Sequence, residues 1–329
     1  MDIYIKSFNR AYLLHRTIAS IYHYLNGFNG RIVVLDDGTP QKYLDKITEL
    51  FPNIEIVKSP YYEQKSNDIS LNKVPEKVIP ANFWRDEVLK GSEFFILLED
   101  DMWFNQSINY TDFTKEVYDL KMDMIKFMWM KNSKLISNNI IQKTAYFNIV
   151  QPKVLTKNPV LFDAIFKTNK FKLGSLVMRL FNHKLELLKY YQLYMVAGGV
   201  FSKRYYEACW KSNQKNVDEL YNISQVLNEI NNYKFANTKN EILKTTVKFT
   251  ASEIEKEKFA TELNVSRFNF ILNEFWFVRN NYENFNFNED INDEWIKNCC
   301  ENSDIKFEVW QNWYARIKKN YELLGCNLD

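Results

Sequence analysis

The chain carries almost no net charge: 43 Lys and Arg stand against 41 Asp and Glu in 329 residues, a balance of +2. So even a balance gives no electrostatic reason to bind a polyanion, which excludes nucleic acid as the main partner and leaves any basic patch local. Cysteine is scarce as well. Cys209, Cys299, Cys300 and Cys326 lack metal-ligand spacing, and the adjacent pair is no disulfide framework in a chain this long, so a reducing, cytoplasmic setting is expected. No run reaches about 18 consecutive apolar residues, so no membrane-spanning segment is expected. Met1-Asp2-Ile3 enters a strand-like run directly, without the basic-then-apolar pattern of an export signal. Peripheral attachment at the inner face of a membrane stays open, as does the oligomeric state. Internal repeats and low-complexity tracts are absent too. What the sequence has is core material: 46% hydrophobic and 16% aromatic residues, enough for one large α/β domain with an added helical region.

The order of elements follows from periodicity. Ile3-Tyr4-Ile5 reads as a buried strand, Lys6 to Arg10 as a loop, and Leu14, Ile18, Ile21, Tyr22 and Leu25 recur at helical spacing before Gly27. Ile32-Val33-Val34-Leu35 is a second strand that stops at Asp36-Asp37-Gly38. A helix through Leu44, Ile47 and Leu50 and a strand at Ile54 to Val57 follow. This alternation predicts a mainly parallel sheet flanked by helices. Residues 58–80 are polar, with three prolines, and read as a mobile basic loop in which Lys73 and Lys77 serve solubility; Arg85, just beyond it, is likewise given no site role. A helix across Asn82 to Lys90 leads to the strand Phe94 to Leu98, which ends on three acids. Met124 to Met130 is a further strand, and Phe162 to Tyr194 is irregular. Beyond residue 225 the pattern turns helical, with a capping box at Ser252 and Glu255 and a final stripe of Ile305, Val309, Trp313, Ile317 and Tyr321 stopped by Gly325. That aromatic-rich stripe packs a helix on the core, or docks a membrane or a second subunit.

Three strand-to-loop junctions carry polar residues: Ser7 to Arg10, Asp36 to Gly38, and Glu99 to Asp101. Open α/β sheets bind ligands beyond the carboxyl ends of their strands, so these are expected to converge. Three acids at one rigid strand end repel one another unless a cation or hydrogen-bond donors compensate. A hard divalent ion, Mg²⁺ or Mn²⁺, held by one or two carboxylates while substrate phosphates complete its shell, fits that demand. Asp36-Asp37-Gly38 is a generic turn when taken alone; beside the acid cluster it offers a carboxylate for a base or ribose, and a glycine that permits close backbone approach. His15, His23 and His183 are read as packing or surface residues.

The succession Ile3 to Arg10, Val33 to Thr39 and Gly91 to Asp101 resembles the nucleotide-binding half of the family 2 glycosyltransferases, in which a second strand ends in Asp-Asp-Gly-Ser and a later one in an Asp-X-Asp motif. Here Glu99 replaces the first Asp of that motif and Thr39 stands for the Ser. The resemblance implies a GT-A fold, with a nucleotide-sugar-binding and catalytic domain over residues 1–225 and a mainly helical region over 226–329. It implies that Phe8 flanks the nucleobase, Asp37 hydrogen-bonds it and Asp100 lies near the ribose, with Asn9, Arg10 and Asp36 completing the donor site. Asp101, with Glu99, would hold the metal. Ala197 to Arg204 resembles the family's acceptor-side glycine segment, and Val217-Asp218-Glu219-Leu220 its catalytic-base motif, with Asp218 the first choice of base and Glu219 the second. The expected reaction moves a sugar from a nucleoside-diphosphate donor, a UDP-sugar by preference, to a hydroxyl of a saccharide or lipid-linked acceptor in bacterial surface-glycan assembly, with inversion. A nucleotidyltransferase would open with a Gly-rich, Arg-containing phosphate loop that residues 1–30 lack. A non-catalytic glycan-binding or assembly protein on the same scaffold is the other alternative.

Overall fold

The computed structural model describes residues 1–180, 183–211, 214, 216–249, 263–279, 286–301 and 303–328. Its centre is a nine-stranded sheet. The first half is built from β1 (Asp2–Ser7), helix α1 (Ala11–Tyr24), the short β2 (Leu25–Asn26), β3 (Ile32–Asp36), α2 (Gln41–Leu50) and β4 (Ile54–Lys58). There follow α3 (Tyr62–Ser70), α4 (Ala81–Lys90) and β5 (Phe94–Glu99). The strands β4, β3, β1 and β5 lie side by side and parallel. They are the β-branched and aromatic runs of the sequence, and β1, β3 and β5 are buried almost throughout, as a sheet covered on both faces requires. The chain steps outward from β1 to β3 and β4, then returns to place β5 on the other flank of β1. That reversal puts a crevice beyond the ends of β1 and β5.

The second half continues with β6 (Met102–Phe104), β7 (Ile108–Asn109), α5 (Tyr110–Leu120), β8 (Met124–Lys126), β9 (Ile140–Lys143) and β10 (Phe147–Val150). Short helical pieces come next: α6 (Pro159–Phe162), α7 (Leu173–Leu180) and α8 (His183–Leu188). Then come β11 (Gly199–Ser202), α9 (Lys203–Cys209), α10 (Glu219–Val226), β12 (Phe235–Thr238) and β13 (Leu243–Thr245). The sheet order is β4-β3-β1-β5-β11-β8-β12-β10-β9, with β11 inserted antiparallel between β5 and β8. Because Gly199 pairs with Leu97 and Lys126, the residues just before β11 enter at the edge where β1, β3 and β5 end.

Among the described residues, three helices close the chain: α11 (Val265–Val278), α12 (Asp293–Cys300) and α13 (Phe307–Leu324). Helix α11 packs on α1, α2 and α3. Helix α13 buries Trp310, Trp313 and Ile317 and ends at Gly325, which takes a left-handed φ of 93°. The packing role expected of its stripe is seen for Trp313 and Ile317, and Trp310 is the most deeply buried ring of the helix. Several local expectations need correction. Residues 58–80 contain helix α3, with Lys65, Ser66 and Ile69 buried, so this segment is in part a packed element. The strand expected to run to Met130 stops at Lys126, and the chain then turns through Met130 and Lys131, both at positive φ. The region beyond 225 is not purely helical: β12 sits inside the central sheet between β8 and β10, so the sheet extends past the boundary expected at 225. Ser252 and Glu255 lie outside the described residues, as does the side chain of His183.

Candidate nucleotide-sugar site

The three polar junctions meet. Register aligns Ser7 with Asp36 and Lys6 with Glu99, so the loops after β1, β3 and β5 leave the sheet at one level. They are then stitched together atom by atom. The Asp37 amide donates to the Ser7 carbonyl at 3.0 Å and the Asp100 amide to the Lys6 carbonyl at 3.0 Å. The Phe8 amide donates to Asp100 Oδ2 at 3.1 Å, and the Asn9 amide to Thr39 Oγ1 at 2.9 Å. Asn9 holds this position in a left-handed conformation, φ 51°, one of the few states in which Asn is tolerated without a glycine.

Asp36 is fully buried and serves the turn itself: its carboxylate accepts from the Gly38 and Thr39 amides at 2.9 and 2.8 Å and from Thr39 Oγ1 at 2.6 Å. Gly38 sits at φ 138°, and a Cβ there would lie 2.6 Å from Lys65 Cβ, so both conformation and space demand glycine. Asp37 accepts from Ser59 Oγ at 2.5 Å and from Lys65 Nζ at 2.5 Å. Burial drives the Asp37 carboxyl up to about 6, with Lys65 and Ser59 pulling it down. Lys65 Nζ also lies 5.5 Å from the rings of Phe8 and Tyr61. A half-buried aromatic beside a fixed carboxylate and a cation is an arrangement able to stack a planar base and hydrogen-bond its edge.

The acid cluster divides into three separate roles. Glu99 pairs with Lys6 at 2.9 Å; burial pushes its carboxyl up, but Lys6 more than reverses this and leaves it below its ordinary value. Arg10 reaches Asp100 Oδ1 at 2.5 Å and Asp101 Oδ2 at 2.7 Å. Burial raises Asp100 up to about 7 and raises Asp101, in each case against the pull of Arg10. Asp101 Oδ1 is buried and has no hydrogen-bond partner. An unpaired buried carboxylate oxygen is costly, and a hard cation is the group that would repay it. Among the described residues no three His, Cys, Asp or Glu surround a common point. The protein's share of such a cation's shell is therefore one or two oxygens, with Glu99 committed to Lys6.

The catalytic-base motif lies where α10 begins. Asp218, half-exposed, is the N-cap of α10, accepting from the Tyr221 amide at 2.9 Å, and it faces Lys167 at 3.4 Å. Glu219 points the other way. It keeps part of its surface open while its carboxylate is enclosed, accepting from the Val196 amide at 3.2 Å. The Val196 carbonyl in turn accepts from Lys6 Nζ at 3.1 Å, which links Glu219 to Glu99 through the backbone of one residue and one lysine. Burial pushes the Glu219 carboxyl up to about 7. The geometry separates the pair: Asp218, the first choice of base, caps a helix, and Glu219, the second, turns inward. Lys6, Ser59, Lys65 and Val196 were not legible as site residues. Lys6 was read as the start of the loop after the first strand, although β1 runs on to Ser7, and Lys65 lay within a polar segment that carried no motif. Of the basic residues given no site role, Lys73 and Lys77 are exposed and Arg85 pairs with Asp86 at 2.7 Å.

Fold and site together define a mixed α/β architecture: a parallel half whose switch point carries the acid cluster, continued by a mixed sheet that brings a glycine turn and a carboxylate to the same edge. No family model and no curated protein matches the chain. Among solved structures it is similar to S. aureus TarS, with 9% identity and a TM-score of 0.43 over 97% of this chain, which spans 43% of that one. It is also similar to the galactosyltransferase LgtC bound to donor and acceptor sugar analogues, with 13% identity, a TM-score of 0.27 and 44% and 55% of the two chains covered. A third is glucosyl-3-phosphoglycerate synthase from Mycobacterium tuberculosis with Mn²⁺, UDP and phosphoglyceric acid, with 13% identity, a TM-score of 0.30 and 62% and 56% covered.

Proposed function

We propose that the chain is a glycosyltransferase that moves a sugar from a nucleoside-diphosphate donor to a hydroxyl of a saccharide or lipid-linked saccharide. The observation that carries this reading is the stitching of three strand ends around Arg10, Asp37, Asp100 and Asp101 at the switch point of the sheet. Phe8 and Asp37 receive the base, Asp100 lies toward the ribose, and Arg10 is positioned for the diphosphate. Asp101, through its unpaired oxygen, would hold Mn²⁺ or Mg²⁺, which when bound supplies positive charge to a departing diphosphate.

Glu219 is the base in this scheme. A carboxylate raised to about 7 is half ionised at neutral pH and basic enough to take a proton from a hydroxyl. The acceptor O–H gives its proton to Glu219 while its oxygen bonds to the anomeric carbon. The bond from that carbon to the diphosphate breaks, and the pair leaves with the diphosphate. Attack opposite the leaving group inverts the centre. Among the described residues no helix is long and apolar enough to cross a membrane. A lipid-linked acceptor would therefore be met at a surface.

The test is a thermal-shift panel of UDP-, GDP-, CMP- and dTDP-sugars with and without Mn²⁺. Stabilisation by one nucleotide class, strengthened by Mn²⁺ and lost in Asp101→Asn, is expected. If no nucleotide sugar shifts the melting temperature with or without metal, the proposal fails.

A further inference from the structure

Beside Glu219 the chain assembles a group of half-buried aromatic side chains outside the donor site, of which Tyr321 also touches the main core. Trp129, Met130, Tyr191 and Tyr321 are each only half-buried and pack on a small cluster of Leu135, Leu188 and Cys326 that is separate from the central core. They come from three distant parts of the chain: the turn after β8, the segment before β11, and the end of α13. Each is tied in place by polar contacts. The Glu241 carboxylate accepts from the Trp129 amide and, at 2.9 Å, from the Lys131 amide. This holds Met130 and Lys131 at φ 49° and 53°, a conformation that neither side chain favours. Asn132 donates to the Leu324 carbonyl at 3.0 Å and the Asn327 amide to the Met130 carbonyl at 2.8 Å, clamping the end of α13 onto the same turn. Lys126, buried in the sheet, donates to the carbonyls of Leu135 and Tyr191 at 2.9 and 3.1 Å. The Tyr191 phenol itself meets the Glu219 carboxylate and has Tyr321 close by.

A backbone held in an unfavourable turn by the Glu241 carboxylate, presenting ring surface beside a second carboxylate, is an arrangement that packing alone does not require. Its chemistry is that of a sugar site: pyranose and furanose rings offer an apolar C–H face to an aromatic ring and a rim of hydroxyls to carboxylates and amides. We infer that Trp129, Tyr191 and Tyr321 form the acceptor subsite, taking a neutral saccharide ring whose free hydroxyl is directed to Glu219. Gly198, at φ 93°, has its open side bordered by Leu243, Met102 and Met128; Met128 precedes Trp129 and Met102 follows Asp101 directly, which sets the subsite toward the donor site. The end of the C-terminal helix therefore has a ligand role at Tyr321 as well as a packing role at Trp310. That this saccharide is the acceptor rests on the transferase reading; that the subsite binds a saccharide does not.

The experiment is saturation-transfer NMR on the full chain with a panel of methyl glycosides of hexoses, N-acetylhexosamines and pentoses, run with and without UDP and Mn²⁺. At least one glycoside is expected to receive saturation. Trp129→Ala and Tyr321→Ala should each weaken it by about tenfold, the order of one lost ring contact. Tyr321→Phe should keep it, and UDP binding should be unchanged in all three, which also shows that the variants fold. Binding of UDP with no glycoside, or glycoside binding equal in Trp129→Ala and the parent, overturns the inference. Glycoside binding that depends on Trp129 in a protein that never binds UDP would support the subsite and sink the transferase.

Discussion

Replacing Arg10 by Gln tests the electrostatics of the site most directly. The guanidinium is the only countercharge paired with Asp100 and Asp101 among the ion pairs of the described residues, at 2.5 and 2.7 Å, and these carboxylates are 0% and 9% exposed. Removing one partner from a buried ion pair costs about 3–5 kcal/mol, because the remaining charge is left without compensation. Unfolding entropy of about 2.1 cal/mol/K per residue, taken over 329 residues, converts each kcal/mol to about 1.4 °C. Arg10→Gln should therefore melt about 4–7 °C below the parent in EDTA. Divalent cation should then act differently on the two proteins. In the parent, Mn²⁺ competes with a guanidinium already seated on Asp101, whereas in the variant it replaces a missing charge, so it should raise the melting temperature more in Arg10→Gln. Differential scanning calorimetry with and without Mn²⁺ reads both effects. A variant as stable as the parent in EDTA, or one that Mn²⁺ fails to rescue, would refute the idea that these acids await a cation.

Further outcomes follow from the geometry. Glu219→Gln should lower transfer by about 10² to 10⁴-fold with UDP binding intact, whereas Asp218→Asn, which keeps the capping oxygen, should leave the rate nearly unchanged; steady-state kinetics with any accepted pair separates them. Because burial raises Glu219 above its ordinary 4.5 to about 7, its ionised form fills in as pH rises through about 7, and the rate should rise with it. The same shift makes ionisation unfavourable in the fold. Stability lost between pH 4.5 and about 7 should be recovered in Glu219→Gln, so the variant gains on the parent in melts at pH 8 and not at pH 4. Gly38→Ala should destabilise by about 1–3 kcal/mol, measured by chemical denaturation, because φ 138° and the 2.6 Å approach of Lys65 Cβ leave no place for a methyl group.

Period and punctuation alone determined a good deal of this protein. The strands at Ile3, Ile32 and Phe94 were legible as short continuous apolar runs, and the helices after the first two as stripes repeating every 3.6 residues; helix α3, in a polar segment, was not. The acids at 36, 37 and 99 to 101 were legible because a charge directly after an apolar strand can sit only at the end of that strand. Pairing across distance was not legible. Asp218 and Glu219 are adjacent, and only the start of α10 at Glu219 turned one into a cap and the other toward Val196. Lys6 and Lys65 looked like loop residues until the tertiary structure set them against Glu99 and Asp37. The strand at Phe235 gave too short a signal to place in the sheet, and its position came from the open ladder between β8 and β10. Local pattern records which face of an element must leave water. Which distant charge or ring then meets it is decided by the order in which strands pair, and short runs of sequence do not carry that order.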